Sequence, residues 1–145
     1  MTEKKKWVAG ITKILSANDT GDSGSHQAGI LIPKDPRVLS FFPPLDRGIK
    51  NPRHHLVFYD IDDVRWEFAF IHYNNKFFGG TRNEFRLTRM TSFIRSHGLK
   101  PGDRLTLKRE CESGRRTVDY DRETAAPEAS TGRLILGSNW KEIRL

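Results

Sequence analysis

Residues 74–89 read Asn-Asn-Lys-Phe-Phe-Gly-Gly-Thr-Arg-Asn-Glu-Phe-Arg-Leu-Thr-Arg. Four cations, Lys76, Arg82, Arg86 and Arg89, face a single acid, Glu84. Asn74, Asn75, Thr81 and Asn83 add neutral donors and acceptors. These residue types suit the edges of nucleobases. A guanidinium forks onto guanine, an asparagine onto adenine, and a carboxylate accepts from the cytosine amino group. Lysine and hydroxyls take phosphates. The competing reading is a solvated hairpin tip whose charges only keep the protein soluble.

A second polar stretch lies near the N-terminus, from Ser16 to Gln27. Eleven of its twelve residues are polar or glycine, so it reads as a loop. It offers Ser16, Asn18, Asp19, Thr20, Asp22, Ser23, Ser25, His26 and Gln27, with no lysine or arginine. Phosphate contacts here would come from hydroxyls, from amides at Gly21 and Gly24, or from His26. Asp19 and Asp22 either read cytosine amino groups or order the loop, since aspartate readily bonds nearby backbone amides. The competing reading is a mobile linker. Long ordered loops are often functional.

Other chemistries find no support. His26, His54, His55, His72 and His97 form no His-x-His or His-Glu-x-x-His spacing. The single Cys111 excludes an internal disulfide and a cysteine zinc site, and fits a reducing compartment. No phosphate-binding glycine loop ends in Gly-Lys-Ser/Thr. A restriction-type nuclease places an Asp before an Asp/Glu-x-Lys triplet to hold Mg²⁺. The triplet here is Glu3-Lys4-Lys5, with no upstream Asp. We therefore expect no catalytic residues, no metal and no cofactor. No apolar run reaches the ~18 residues of a membrane span, and no signal peptide is legible. The expected location is the cytoplasm. The net charge of +7 and pI of 9.8 favour a polyanionic partner without demanding one.

The loops need a scaffold. A chain of 145 residues can bury one substantial core. Residues 1–6 read as a flexible basic tail, 7–145 as one domain, and 122–132 as a mobile loop. Strands are expected over Trp7–Leu15, Ala28–Pro33, Leu56–Tyr59, Val64–Tyr73, Phe85–Leu87, Arg104–Cys111, Thr117–Tyr120 and Leu134–Leu136. Asp60–Asp63 makes a hairpin turn, and Arg47–His55 a basic loop. Asp35 caps a short helix with Pro36 at its first position. Thr88 caps another from Arg89 to His97, stopped by Gly98. Pro101-Gly102-Asp103 makes a tight turn. Trp140–Leu145 packs back on the sheet. Seven or eight short strands and two short helices, with no βαβ rhythm, predict a mainly antiparallel barrel or pseudobarrel.

Two segments carry a resemblance. Ile14-Leu-Ser-Ala-Asn-Asp-Thr-Gly-Asp-Ser-Gly-Ser-His-Gln-Ala-Gly-Ile-Leu-Ile-Pro33 and Gly80-Thr-Arg-Asn-Glu-Phe-Arg-Leu-Thr-Arg89 resemble the N-terminal domain of EcoRII restriction endonucleases. Leu15–Thr20, Phe42-Pro-Pro-Leu-Asp46, Thr91-Ser-Phe-Ile-Arg95 and Leu99-Lys-Pro-Gly-Asp-Arg-Leu105 are similar to the plant B-three domain of auxin response factors. The likeness spans about Trp7 to Arg109. It implies a seven-stranded open β-barrel, the DNA-binding pseudobarrel, with two short flanking helices. It also implies two loops gripping the major groove of double-stranded DNA.

By position the N-arm is Ser16–Gln27, with Ser16, Asn18, Asp19, Thr20, Asp22, Ser23, Ser25, His26 and Gln27. The C-arm supplies Asn74, Asn75, Lys76, Thr81, Arg82, Asn83, Glu84 and Arg86. In the restriction enzymes such a domain binds an extra copy of the recognition site and regulates a separate nuclease domain. No nuclease centre is legible here, so the expected partners are duplex DNA and a separate nuclease subunit. Two alternatives stand beside this one. The chain is a nuclease component with a cryptic or partner-supplied site, or a scaffold for protein or sugar with no DNA role.

Overall fold

The computed structural model describes residues 7–22, 29–122, 132–135 and 139–143. The basic tail, Ser23, Ser25, His26, Gln27 and nearly all of the 122–132 loop lie outside the described residues.

Alternating apolar residues build most of the strands. They are β1 (Trp7–Ile14), β2 (Ile30–Ile32), β3 (Arg53–Tyr59), β4 (Arg65–Tyr73), β5 (Glu84–Thr88), β6 (Arg104–Glu110), β7 (Arg116–Asp121), β8 (Gly132–Ile135) and β9 (Trp140–Ile143). Among the described residues nine strands form one sheet in the order β2-β5-β4-β3-β7-β6-β1-β9-β8. All pairings are antiparallel except β3 with β7. The mainly β, open-barrel class is as expected. The count exceeds seven because β9 and β8 extend the sheet beyond β1.

The inner face carries Ile11, Ile30, Ile32, Phe58, Phe68, Phe70, Leu87, Leu105, Leu107 and Val118, all but excluded from solvent. Each such side chain contributes about 1.5–3 kcal/mol by leaving water. Phe42 stacks on Phe70 with ring centroids 4.4 Å apart.

Among the described residues three short helices flank the sheet: α1 (Ala17–Thr20), α2 (Pro36–Leu39) and α3 (Thr91–Ser96). Asp35 caps α2 by accepting from Arg37 N at 2.9 Å, as its sequence predicts. The Arg37 side-chain hydrogen bond holds the Asp35 carboxyl down to about 2. Gly98 stops α3 in the left-handed region, with Gly98 N donating to Arg95 O and Leu99 N to Ile94 O.

Three boundaries differ from expectation. The N-arm opens with α1, because Ser16 Oγ accepts from Asp19 N while Asp19 Oδ2 accepts from Ser16 N. Strand β3 begins at Arg53, so His54 and His55 sit on a strand opposite Phe70 and Ala69. Their exposed side chains hide the strand from hydrophobic patterning. Helix α3 begins at Thr91: Thr88 remains in β5, donating Oγ1 to Ala69 O, and Arg89 turns the chain with φ of 65°.

The sheet closes on itself through Trp140. It lies on β9 and is wholly buried, yet its Nε1 donates 3.1 Å to Leu31 O on β2, at the other end of the sheet. Trp140→Ala should therefore cost about 3–5 kcal/mol in urea unfolding, and Trp140→Phe about 1 kcal/mol for the lost hydrogen bond. A loss below about 1 kcal/mol for the alanine variant would show that this seam does not hold the fold.

Candidate nucleic-acid interface

The two arms are joined by their return strands. The N-arm returns into β2 and the C-arm into β5, and these strands pair directly: Ile30 with Leu87, Leu31 with Arg86, Ile32 with Phe85. Arg86 Nη1 also donates 3.3 Å to Gly29 O. Gly29 has φ of 78°, and a Cβ there would stand 2.1 Å from Leu87 O, so the close approach requires glycine. Two loops far apart in sequence thus share one rigid base.

Within the C-arm, Asn75–Phe78 forms a 3-10 turn ending at Gly79 in the left-handed region. Asn75 Oδ1 accepts from Arg82 N at 2.6 Å, and Lys76 N donates to Arg82 O at 2.9 Å. These bonds pin the two sides of the arm together. Lys76 is exposed at the turn and has no ion-pair partner among the described residues. Thr81 is likewise exposed.

Glu84 lies between two arginines. Its Oε1 receives Arg82 Nε at 2.6 Å, and its Oε2 receives Arg86 Nε at 3.1 Å. Burial works against the charge on Glu84, but the Arg82 hydrogen bond and both guanidinium charges outweigh it and hold the carboxyl below its ordinary value. The Arg82 guanidinium also stacks 3.8 Å over the Tyr73 ring. Among the described residues no partner takes its Nη groups, so the end of the fork stays available.

Several named residues position the arm. Asn74 is buried and bridges to another loop. Its Oδ1 accepts from Asn51 N at 2.7 Å and its Nδ2 donates to Ile49 O at 2.9 Å. Asn83 Oδ1 lies 2.8 Å from His72 Nε2, and His72 stacks on Phe85 with centroids 4.1 Å apart. The Asn74 amide is thus taken up inside the protein, tying the base of the arm to the loop at residues 49–51.

The N-arm shows the same division. Asp19 is half-buried with its side chain nearly closed to solvent; it completes the cap of α1 and pairs with Lys13, itself buried on β1. Its carboxylate is engaged within the protein, by Ser16 N and Lys13. Thr20 Oγ1 donates to Asp22 Oδ1 at 2.7 Å, on an exposed surface beside exposed Asn18. Ser16 caps α1 and remains partly accessible.

Sequence reading missed Lys13, Asn51, His72 and Tyr73. Lys13 alone had a local signal, a charge at an inward position two residues after Ile11. The others act through contacts more than eight residues distant or through ring stacking. Among the described residues no cluster of His, Cys, Asp and Glu could hold a metal ion. No helix among them is long and apolar enough to cross a membrane.

This open sheet with two arms is a pseudobarrel of the kind seen in the Arabidopsis FUS3–DNA complex. The likeness has a TM-score of 0.61 at 19% identity, and covers 78% of this chain and 96% of that one. That similarity is one of fold. Residues 5–100 match the family described as restriction endonuclease EcoRII, N-terminal. The chain is also 40% identical over 100 residues to the type II restriction enzyme EcoRII of Escherichia coli. That match takes in 66% of this chain and 24% of the enzyme, so the chain spans about a quarter of that relative's length. The chain belongs to the EcoRII N-terminal family.

The Asn75 clamp can be tested directly. A Cβ on Gly80 would lie 2.7 Å from Asn75 Cγ, which the Arg82 amide holds in place. Gly80→Ala should release that amide and speed its hydrogen exchange, while global stability changes by less than about 1 kcal/mol. Unchanged protection at Arg82 would show that another group holds the arm.

Proposed function

We propose that this chain is a sequence-specific duplex-DNA-binding module. Its N-arm and C-arm enter the major groove, and the chain itself performs no cleavage. The observation that carries the reading is the pairing of β2 with β5, which sets both arms on one base with Lys76 and Arg82 displayed at the surface. Support comes from the chain's family, from a relative named as a type II restriction enzyme, and from a fold neighbour whose structure includes DNA. Cleavage, where it occurs, falls to nuclease machinery supplied separately, as a further domain or subunit. The cytoplasm, where a reduced Cys111 would persist, suits such a module.

In this reading Arg82 reads a guanine edge and Glu84 serves twice. Before contact it orients both arginine forks, and in the complex it accepts from a neighbouring cytosine amino group. Exposed Asn18, Asp22 and Thr81 make further polar contacts. Ser16 and Thr20 offer hydroxyls, and Ser23, Ser25, His26 and Gln27 complete the N-arm. Asn75, Asn83 and Arg86 act chiefly by holding the C-arm in shape.

Arg82→Ala should cost about 1–3 kcal/mol on the preferred site and little on scrambled duplex. Glu84→Ala should relax the preference and tighten nonspecific binding, because it removes a negative charge near phosphates. A surface ion pair alone would be worth about 0–1 kcal/mol to the fold and nothing to discrimination. The measurement is a titration of both variants against a selected site and its scramble at one salt concentration. Equal losses for Arg82→Ala on both duplexes would reduce it to a phosphate contact. No loss on either would remove this arm from the interface.

Salt gives a second check. With Lys76 and about five other cations on phosphates, affinity should fall roughly three decades between ~50 and ~200 mM salt. Lys76→Ala should weaken all sequences alike and reduce the slope by about one. An interaction indifferent to salt would point to a partner that is not a polyanion.

A further inference from the structure

Arg109 and Arg116 lie outside the arms and beyond the residues that match the family. They face one another across the β6–β7 pair. Strand alternation places both on the inner face. Arg109 follows Leu105 and Leu107 along β6, and Arg116 precedes Val118 on β7, beside Phe58 of β3. Like charges directly opposite on neighbouring strands repel. No acid pairs with either side chain among the described residues.

The two arginines are held differently. Arg109 Nη1 donates 2.6 Å to Phe41 O, and its guanidinium lies 5.6 Å from the centre of the Phe41 ring. Arg116 has no such support among the described residues. Its Nε is buried and meets no hydrogen-bond acceptor among them. Burial, and then the charge of Arg109, push Arg116 below the ordinary arginine value. A buried donor without an acceptor is costly, and native structures rarely leave one so. Two neighbouring guanidinium groups, one with an orphaned donor, suit an anion with several acceptor oxygens.

We propose that Arg109 and Arg116 form a binding site for a phosphate group, free or borne by a nucleic-acid backbone. A tetrahedral oxyanion presents oxygens to two guanidinium forks at once, which one carboxylate does less well. Its charge would relieve the repulsion across β6 and β7, and it would give Arg116 Nε the acceptor it lacks. The site stands whether or not the two arms bind DNA, because its geometry uses none of their residues.

Thermal unfolding in inorganic phosphate, against chloride and acetate at equal ionic strength, tests it. Wild type should gain about 2–5 °C in phosphate alone. Arg116→Met should melt about 2–6 °C higher than wild type without phosphate, because it removes both the repulsion and the orphaned donor. It should gain nothing from phosphate. Arg116→Lys keeps a charge but loses the fork, and should show only a small phosphate response.

Duplex titrations then separate the sources. If a DNA phosphate occupies the site, Arg116→Met weakens binding on all sequences and lowers the salt slope by about one. If a free anion does, duplex affinity stays unchanged while the phosphate-specific gain in wild type remains. Equal stabilisation of wild type by chloride or acetate would overturn the proposal, as would the same phosphate gain in Arg116→Met.

Discussion

Three residue pairs carry this architecture: Ile30 with Leu87, Leu31 with Arg86, and Ile32 with Phe85. They join the strand that leaves one arm to the strand that leaves the other. Without them the arms would be independent loops, each ordered only by its own short-range bonds. A three-residue ladder is weak alone. It holds because Ile30, Ile32 and Leu87 are buried in the common core, so slipping by one residue would turn them toward water.

The arms share an electrostatic design. In each, a carboxylate sits against a cation: Asp19 with Lys13 in the N-arm, Glu84 with Arg82 and Arg86 in the C-arm. The consequences differ with burial. Asp19 and Lys13 are nearly closed to solvent, so their pairing fixes the arm's base. Arg82 is 40% exposed, so its pairing aims a side chain that can still reach outward. Preorganisation of this kind lowers the ordering entropy that binding must overcome.

Closure of the barrel depends on the other end of the chain. Trp140 on β9 bonds to Leu31 on β2, the strand that anchors the N-arm. The matched family region ends at residue 100, so this buttress comes from sequence beyond it. Asp60 plays a comparable role at the β3–β4 turn. Its carboxylate accepts from Asp62 N, Val64 N and Trp66 Nε1, and these bonds, with His97 nearby, outweigh burial and keep it ionised. One acid thereby stiffens the hairpin whose far end projects the C-arm.

Much of the scaffold was legible because its signals are local. Alternating apolar residues mark β1, β4 and β6, and Asp35-Pro36, Gly98 and Pro101-Gly102-Asp103 mark a cap, a stop and a turn. The polar arms were legible by composition and by resemblance. Sequence did not show which polar residues face outward. Asn74 and Thr81 look alike on paper, yet one is buried against Asn51 and the other exposed. Arg53–His55 read as loop because a strand with an exposed polar face lacks alternation. The facing of Arg109 and Arg116 was hidden for the same reason that β2 met β5 only in the fold. Local backbone preference acts over a few residues, whereas register between strands is settled by burying the whole core at once, and only register decides which distant side chains meet.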